Sequence, residues 1–584
     1  MTAGKPPLRE RVWGGAQAVL DRTRGVGFVD LLVLLSLAGL LYGLSDLARQ
    51  WTGKHEAEVI IESSPWVLPR YTFYSLMRGL LAYVLSLGFT LAYGYWAAKD
   101  RVAERVLIPL LDIMQSVPVL GFLPPLLLAS ESLFRDRNVG FELVAILLIF
   151  TGQVWNMTFS FYHSLRSIPQ DQTEAATLFR FSAWQRFRWV ELPYSTIGLV
   201  WNSMMSMAGG WFFLTASEGF RVGTKDFRLP GIGSYMGEAV KNGEIASMLW
   251  AILAMALMII AIDQLLWRPV VVWAQKFRVE EGGHQEAMSS WFLNLLRRSR
   301  ILTAIYGFLG YWQKAREQRA SIGKPRKRVS GEPSRWAGLV SMGAFILLLA
   351  VLLYGAWKLL LMLTSVSGED WASVFLGAGL TMGRVLLSTA LGTLWALPAG
   401  LAIGLSPRLS RILQPVVQVV ASFPAVLFFP LLVVGLQALG LSLGFGSILL
   451  MLLGTQWYIL FNVIAGAMAI PADLREMSRS YRLSAWQTFC RLYLPAVFPY
   501  LITGWVTAWG GAWNTSILAE YVTYRDDVLE TTGLGSLITK ATESANFSLL
   551  AASILVMAVL VVAFNRLVWK RLYQLAEERY SLSQ

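Results

Sequence analysis

The sequence predicts an all-α membrane protein of about 12 transmembrane helices, built as two tandem six-helix halves. Three observations predict it. Hydrophobic residues make up 55% of the 584 and charged residues only 15%, where a soluble chain carries roughly a quarter; mean hydropathy is +0.51. Apolar runs recur at about 20 residues, the length that carries a helix across a ~30 Å hydrocarbon core. The chain also repeats itself, because "RFSAWQRFRWVELP" at Arg180–Pro193 returns as "RLSAWQTFCRLYLP" at Arg482–Pro495.

Residues 1–27 read as a basic cytoplasmic tail, and no small-residue cleavage pattern follows the apolar run 28–47, which is therefore expected to be kept as a first span. Further spans of the first half (28–273) are expected at 76–97, 106–130, 141–163, 194–216 and 246–268. In the second half (336–584) they are expected at 336–363, 380–404, 412–436, 446–468, 496–518 and 548–569. Hydrocarbon offers backbone groups no water, so each should be helical. Between the halves lies a basic linker, 274–335, in which Trp291, Leu295, Leu302, Ile305 and Leu309 share one helical face and predict a surface-lying helix.

The net charge of +13 follows from topology. With both termini inside, 36 of the 50 Lys and Arg lie in inside segments and 11 outside, as orientation by cytoplasmic positive charge requires. A nucleic-acid role is not needed to explain it. The single cysteine, Cys490, excludes an intrachain disulfide framework and a thiolate cluster. His55, His163 and His284 are widely separated, so no metal site, cofactor site or catalytic triad is expected.

The repeat extends far beyond the quoted phrase. At an offset of 302, Trp155 meets Trp457, Trp211 meets Trp513, Glu218 meets Glu520 and "GIGS" at 231–234 meets "GLGS" at 533–536. Upstream the offset is 306, where Arg78 meets Arg384, Pro118 meets Pro424 and Pro124 meets Pro430. Between Pro169–Pro193 and Pro471–Pro495, 11 of 25 positions are identical. The halves therefore share one orientation, as a parallel repeat about an axis along the membrane normal. The prolines at 118 and 424 should kink their helices.

Each copy of the phrase sits in a cytoplasmic loop between the fourth and fifth spans of its half. Ser182 with Gln185, and Ser484 with Gln487, have capping-box spacing. Pro193 and Pro495 then predict a break before the next span. Upstream, Pro169 and Pro471 with the acids after them suit a helix N-terminus, so each loop should be a helix–turn–helix. Trp184 with Phe187, and Trp486 with Phe489, stand at i, i+3 and share a face. They can pack onto their own half or anchor a partner that comes in two copies.

"EAATLFRFSAWQRFRWVELP" resembles the EAA loop of binding-protein-dependent ABC importer permeases, and the "AWQ-x-F…LP" wording is most similar to the nitrate/sulfonate/taurine/bicarbonate group. The likeness covers about 75–273 and 372–575. The second copy reads Glu476-Met477-Ser478, and both replace the family's usual glycine with Arg180 and Arg482. The resemblance implies that the loops dock as coupling helices on two copies of an ABC ATPase, through Asp171, Glu174, Ala175, Leu178, Arg180 and Trp184 in one and Asp473, Glu476, Arg482 and Trp486 in the other. It implies ATP and Mg on those partner subunits, an extracytoplasmic substrate-binding protein, a bacterial or archaeal cell membrane, and a small anion as cargo. This chain holds no ATPase site, since neither "GKH" at 53–55 nor "GKP" at 323–325 continues to Ser or Thr.

A translocation pathway between the halves should be lined by polar or aromatic groups of the middle spans. Candidates are Gln153, Trp155, Asn156, Asn202, Gln456, Trp457, Asn462 and Asn514. Trp211, Glu218, Trp513 and Glu520 fall near the outer ends of the fifth spans as candidate gate or outer-mouth residues, the two Glu repelling an anion unless paired. No buried Arg cluster is expected, with Arg78 and Arg384 near the outside edge. A secondary active transporter with two six-helix halves is the alternative, although no proton relay is visible within the spans.

Overall fold

The computed structural model describes residues 27–53, 59–116, 119–134, 138–219, 221–222, 225–277, 290–299, 335–524 and 527–580, and these are helical apart from short connections and two hairpins. The basic tail, Pro118 and the linker positions Leu302, Ile305 and Leu309 lie outside the described residues. By packing, the chain divides into a smaller unit, Met1–Gln50, Ile168–Val200 and Ala261–Gly338, and a larger one, Trp51–Ser167, Trp201–Ile260 and Leu339–Gln584.

In the smaller unit the first apolar run begins the helix Phe28–Thr52. Leu35 and Leu41 on this helix are exposed, as suits a segment whose solvent is hydrocarbon. Its Asp30 accepts from the Gly27 amide at 3.0 Å and from Ser299 Oγ at 2.7 Å. Trp291 and Leu295 fall in the short helix Trp291–Arg297, whose Trp291 indole donates to Gln264 at 3.1 Å.

The larger unit holds the main bundle. Leu68–Lys99 packs along Asn138–Arg166, where Thr90 and Thr158 share a hydrogen bond of 3.0 Å and Gly94 admits Phe161. Gly368–Leu405 packs along Leu443–Met468 in the same way, with Gly400 against Val463. In a membrane, helix contact rests on such small residues and on interhelical hydrogen bonds rather than on expulsion of water. Trp505 Nε1 donates to Thr393 Oγ1 at 2.8 Å, tying Leu494–Ala519 to the same core.

Helices cover all twelve expected stretches, but eight among the described residues are long and apolar enough to cross a membrane. A ninth is reached if the pair Pro407–Ala421 and Ala425–Ala438, bent by 78° across the break that holds Pro424, counts as one span. The stretch 106–130 is interrupted, since Arg101–Ser116 gives way to a 3-10 turn at Val119–Phe122 and a second helix, Leu123–Phe134. Leu192–Glu218 has the length, at 27 residues, but Asn202, Ser203, Ser206 and Ser217 lower its apolar content. Arg335–Leu363 is a single helix of 29 residues. Two antiparallel hairpins, with Arg221 paired to Asp226 and Tyr521 to Glu530, were not legible as strands in the sequence.

Candidate functional site

The repeated loops fold alike. In the smaller unit, the helix Gln170–Leu178 follows Pro169. It closes with Arg180 N–H donating to Thr177 O and Phe181 N–H to Ala176 O, both at 2.9 Å. This paired closure is the Schellman motif, which needs a left-handed residue just past the helix end. Arg180 takes that conformation at φ +52°. In the larger unit, Ala472–Ser480 closes through Arg482 to Arg479 at 3.0 Å and Leu483 to Ser478 at 3.1 Å, with Arg482 at φ +50°. The turn that glycine usually supplies is thus kept by arginine twice, at a strain of about 1–2 kcal/mol each.

Both capping boxes are present. Gln185 N–H donates to Ser182 Oγ at 3.3 Å and Ser182 N–H to Gln185 Oε1 at 2.9 Å, and the second loop repeats this at 3.2 and 2.9 Å. The break expected at Pro193 and Pro495 is absent. The chain instead runs through one π-helical turn, Phe187–Glu191 or Phe489–Tyr493, straight into Leu192–Glu218 or Leu494–Ala519. A wider turn moves the carbonyl that a proline ring would strike, so the helix absorbs the proline without stopping.

The aromatic pairs do share a face, Trp184 stacking on Phe187 at 5.6 Å and Trp486 on Phe489 at 5.5 Å. Yet Trp184 is 66% exposed, Trp486 71% and Leu178 82%. Asp171, Glu174, Arg180, Asp473, Glu476 and Arg482 are exposed as well, and Ala175 is half-buried. Beside them in the first loop, Thr173, Glu174, Thr177, Leu178 and Arg186 line a depression of about 360 Å³.

At the other ends of the spans, the repeated Arg, Glu and "GxGS" come together as a buried clamp. Arg78 Nη1 donates to Glu218 at 2.7 Å and to the Pro230 carbonyl at 2.9 Å; Ser75 Oγ donates to the same carboxylate at 2.7 Å, and the Gly233 amide at 2.8 Å. The second half repeats each bond. Arg384 reaches Glu520 at 2.7 Å and the Thr532 carbonyl at 2.8 Å, while Thr381 Oγ1 and the Gly535 amide each donate to Glu520 at 2.8 Å. A side chain at Gly231 or Gly533 would strike the carboxylate, which is why the motif is glycine there. One difference matters. Arg78 also donates to Glu142 at 2.6 Å, whereas Arg384 turns its second arm to Thr531 at 2.9 Å.

The two Glu, expected to repel an anion unless paired, are paired. Glu218 and Glu520 are fully buried and paired, and Trp211 and Trp513 are 2% and 1% exposed. Arg78, expected near an outside edge, is also fully buried. Ion pairing makes it affordable to keep such groups out of water, and none of them is left to repel or read a solute.

Deeper in the larger unit, both halves line a cavity of about 390 Å³. Of the pathway candidates, Trp155, Asn156, Asn202, Asn462 and Asn514 are in its wall, together with Tyr458, Thr503 and Thr507. Among the described residues, no Asp, Glu, Lys, Arg or His contributes to that wall. Asn514 Oδ1 also accepts from the Val119 amide at 3.1 Å, pinning the break in the first half's third stretch. Gln153, Gln456 and Trp457 are not in the wall. Gln153 is 1% exposed and donates to Met207 Sδ at 3.4 Å, Gln456 lies against Gly392, and Trp457 packs edge-on to Trp395 at 6.1 Å. The reason is helical phase. Gly454, Tyr458 and Asn462 form one i, i+4, i+8 row toward the cavity, and a neighbour in sequence points about 100° away.

The family of binding-protein-dependent transport system inner membrane components matches residues 86–266 and again 388–581. The chain belongs to that family. It carries the family's domain twice in tandem, as a duplicated permease. Among curated relatives, it is 29% identical over 142 residues to a bicarbonate transport system permease protein of Synechocystis sp., covering 24% of this chain and 49% of that protein. It is 28% identical over 188 residues to the taurine transport system permease protein of Escherichia coli, covering 32% and 63%. It is 30% identical over 201 residues to a putative aliphatic sulfonates transport permease protein of E. coli, covering 34% and 69%. The chain thus spans about half to two thirds of these relatives.

Proposed function

We propose that this duplicated permease supplies both membrane halves of an ABC importer, moving a small solute by alternating access on ATP hydrolysed in separate subunits. The observation that carries the reading is the pair of identically built loops, each presenting an exposed Trp, a Schellman turn and acids in its first helix. Such surfaces suit docking of two ATPase copies. Asp171, Glu174, Ala175, Leu178, Arg180 and Trp184 would contact one copy, and Asp473, Glu476, Arg482 and Trp486 the other. The ATPase subunits would hold ATP and Mg, and an extracytoplasmic binding protein would deliver the solute. The positive-charge distribution supports placing both termini and both loops in the cytoplasm of a bacterial or archaeal cell.

The relatives' names, bicarbonate, taurine and sulfonates among them, support a solute that carries an anionic oxygen group. The 390 Å³ cavity, with Asn156, Asn202, Asn462 and Asn514 in its wall, is the candidate route. Uncharged walls suit a conduit whose selectivity is set partly elsewhere.

The test is reconstitution with the ATPase and binding protein, with charge reversal of both Glu174 and Glu476. Uptake should require ATP and both partners, and the double variant should capture the ATPase at least about tenfold less well. Uptake driven by an ion gradient alone would establish the secondary-transporter alternative. Undiminished capture would show that these acids only compensate their helix N-termini.

A further inference from the structure

Beside the uncharged cavity lies a second one of about 340 Å³ in the same unit. The two share Gln115, Val506 and Gly510, so they adjoin. A hydrogen bond links their walls as well, Tyr573 of the side cavity donating to Thr503 of the central one at 2.8 Å. The side cavity differs in charge. Arg566 and Lys570 stand in its wall with one carboxylate among the described residues, Asp112, close enough to feel both cations. Their i, i+4 spacing puts the two cations on one helix face. That face is set by a π-helical turn, Asn565–Trp569, which re-aims the last span just where the cations begin.

The first half has no equivalent. Its copy of the π turn is Asp263–Trp267, and an offset of 302 places Asp263, Gln264 and Arg268 where the second half has Asn565, Arg566 and Lys570. A cation, an amide and an extra carboxylate sum to no net charge. Two cations facing one carboxylate leave a single positive charge, in only one of the halves.

We propose that the side cavity is an oxyanion-holding station on the pathway, where a small monovalent oxyanion leaving the uncharged cavity is received by Arg566 and Lys570. The inference rests on the importer reading and adds to it a site for the solute. Arg566 offers a planar fork that matches two oxygens of a nitrate, carboxylate or sulfonate group, and Lys570 adds a point charge. Asn565 and Tyr573 supply neutral polar groups beside them. Asp112 competes for the same cations and keeps the hold weak enough for release. A phosphate headgroup of an anionic lipid presents the same chemistry, so the experiment separates the two sources.

The complete complex, with ATPase and binding protein, is reconstituted in vesicles of pure phosphatidylcholine and in vesicles containing phosphatidylglycerol. ATP-driven uptake of labelled nitrate, bicarbonate and ethanesulfonate is measured for the wild type, Arg566→Gln with Lys570→Gln, Arg566→Lys with Lys570→Arg, and Asp112→Asn. The neutralised double variant should lose on the order of tenfold or more in kcat/KM for the transported anion in both lipids, while the ATPase still co-purifies. The charge-conserving swap should recover part of that loss. Asp112→Asn should lower KM and kcat together, because tighter holding slows release. Unchanged uptake in the neutralised variant overturns the station, and so does a defect confined to phosphatidylglycerol vesicles, which would assign the cavity to lipid. ATP-driven uptake of an uncharged solute such as urea, with none of the anions, overturns the station and leaves the importer. Transport independent of ATP removes both.

Discussion

Arg180 and Arg482 hold φ near +50°, a region where a Cβ crowds the following carbonyl and glycine does not. Their guanidinium groups are exposed, so no packing offsets the strain. Arg180→Gly and Arg482→Gly should each raise stability by about 1 kcal/mol, read as a higher thermal midpoint in detergent and slower exchange of the Phe181 and Leu483 amides. A β-branched residue at either site should do the reverse and open the turn. A midpoint that falls in both glycine variants would mean the arginines stabilise their loops by contacts that the turn geometry does not reveal. The clamp makes a second residue-scale prediction. Arg78→Leu strands two buried carboxylates, and Arg384→Leu strands one. Removing one partner of a buried pair costs about 3–5 kcal/mol, so the Arg78 variant should be the more damaged in yield and thermal midpoint. Equal damage would argue that Glu142 adds nothing to the clamp. The repeated Arg, Glu and glycines were visible as text, but their junction was not, since Arg78 and Glu218 lie 140 positions apart. Glu142 has no counterpart in the second half, so repetition gave no signal for it.

At the scale of elements, periodicity and length located the helices, and what they could not show was how a helix passes an obstacle. Pro193 and Pro495 read as stops, but each follows a π-helical turn that lets the helix continue. The last span decides whether proline makes that turn. Asn565–Trp569 is π-helical, and the position matching Pro193 and Pro495 is Arg571. Packing therefore suffices to hold such a turn. Pro193→Ala together with Pro495→Ala should keep both π turns and change stability by less than about 1 kcal/mol. The check is a structure of the variant, or crosslinks from Trp184 and Trp486 positions to the ATPase. A loop swung by about 100°, the angle of one lost residue, would show that the prolines set the turn after all. The 78° bend at Pro424 was anticipated from its proline. The hairpins were not, because strands of two to four residues are too short to display an alternating pattern.

At the scale of the whole molecule, the duplication foretold two copies of everything, and the central cavity departs from that symmetry. Trp155 faces it from the first half, while its repeat Trp457 packs against Trp395. Sequence could nominate polar residues of the middle spans, but it could not fix which side of each helix meets the opposite half. For this reason Asn156 and Asn462 fall in the cavity wall while Gln153 and Gln456 do not. Single cysteines test the division directly, and the chain is suited to it because Cys490 is its only thiol. In a Cys490→Ser background, Asn156→Cys and Asn462→Cys should react with a small charged methanethiosulfonate reagent several-fold faster than Gln153→Cys and Gln456→Cys, whose positions are 1% and 9% exposed. A thiolate needs water to form and react, so labelling reports a wet wall rather than mere proximity. Addition of ATP and the partner proteins should change the rates at 156 and 462 and leave those at 153 and 456 low. If Gln153→Cys labels as fast as Asn156→Cys, the solute's route runs along the opposite face of that helix, and the uncharged cavity is packing space instead of a passage.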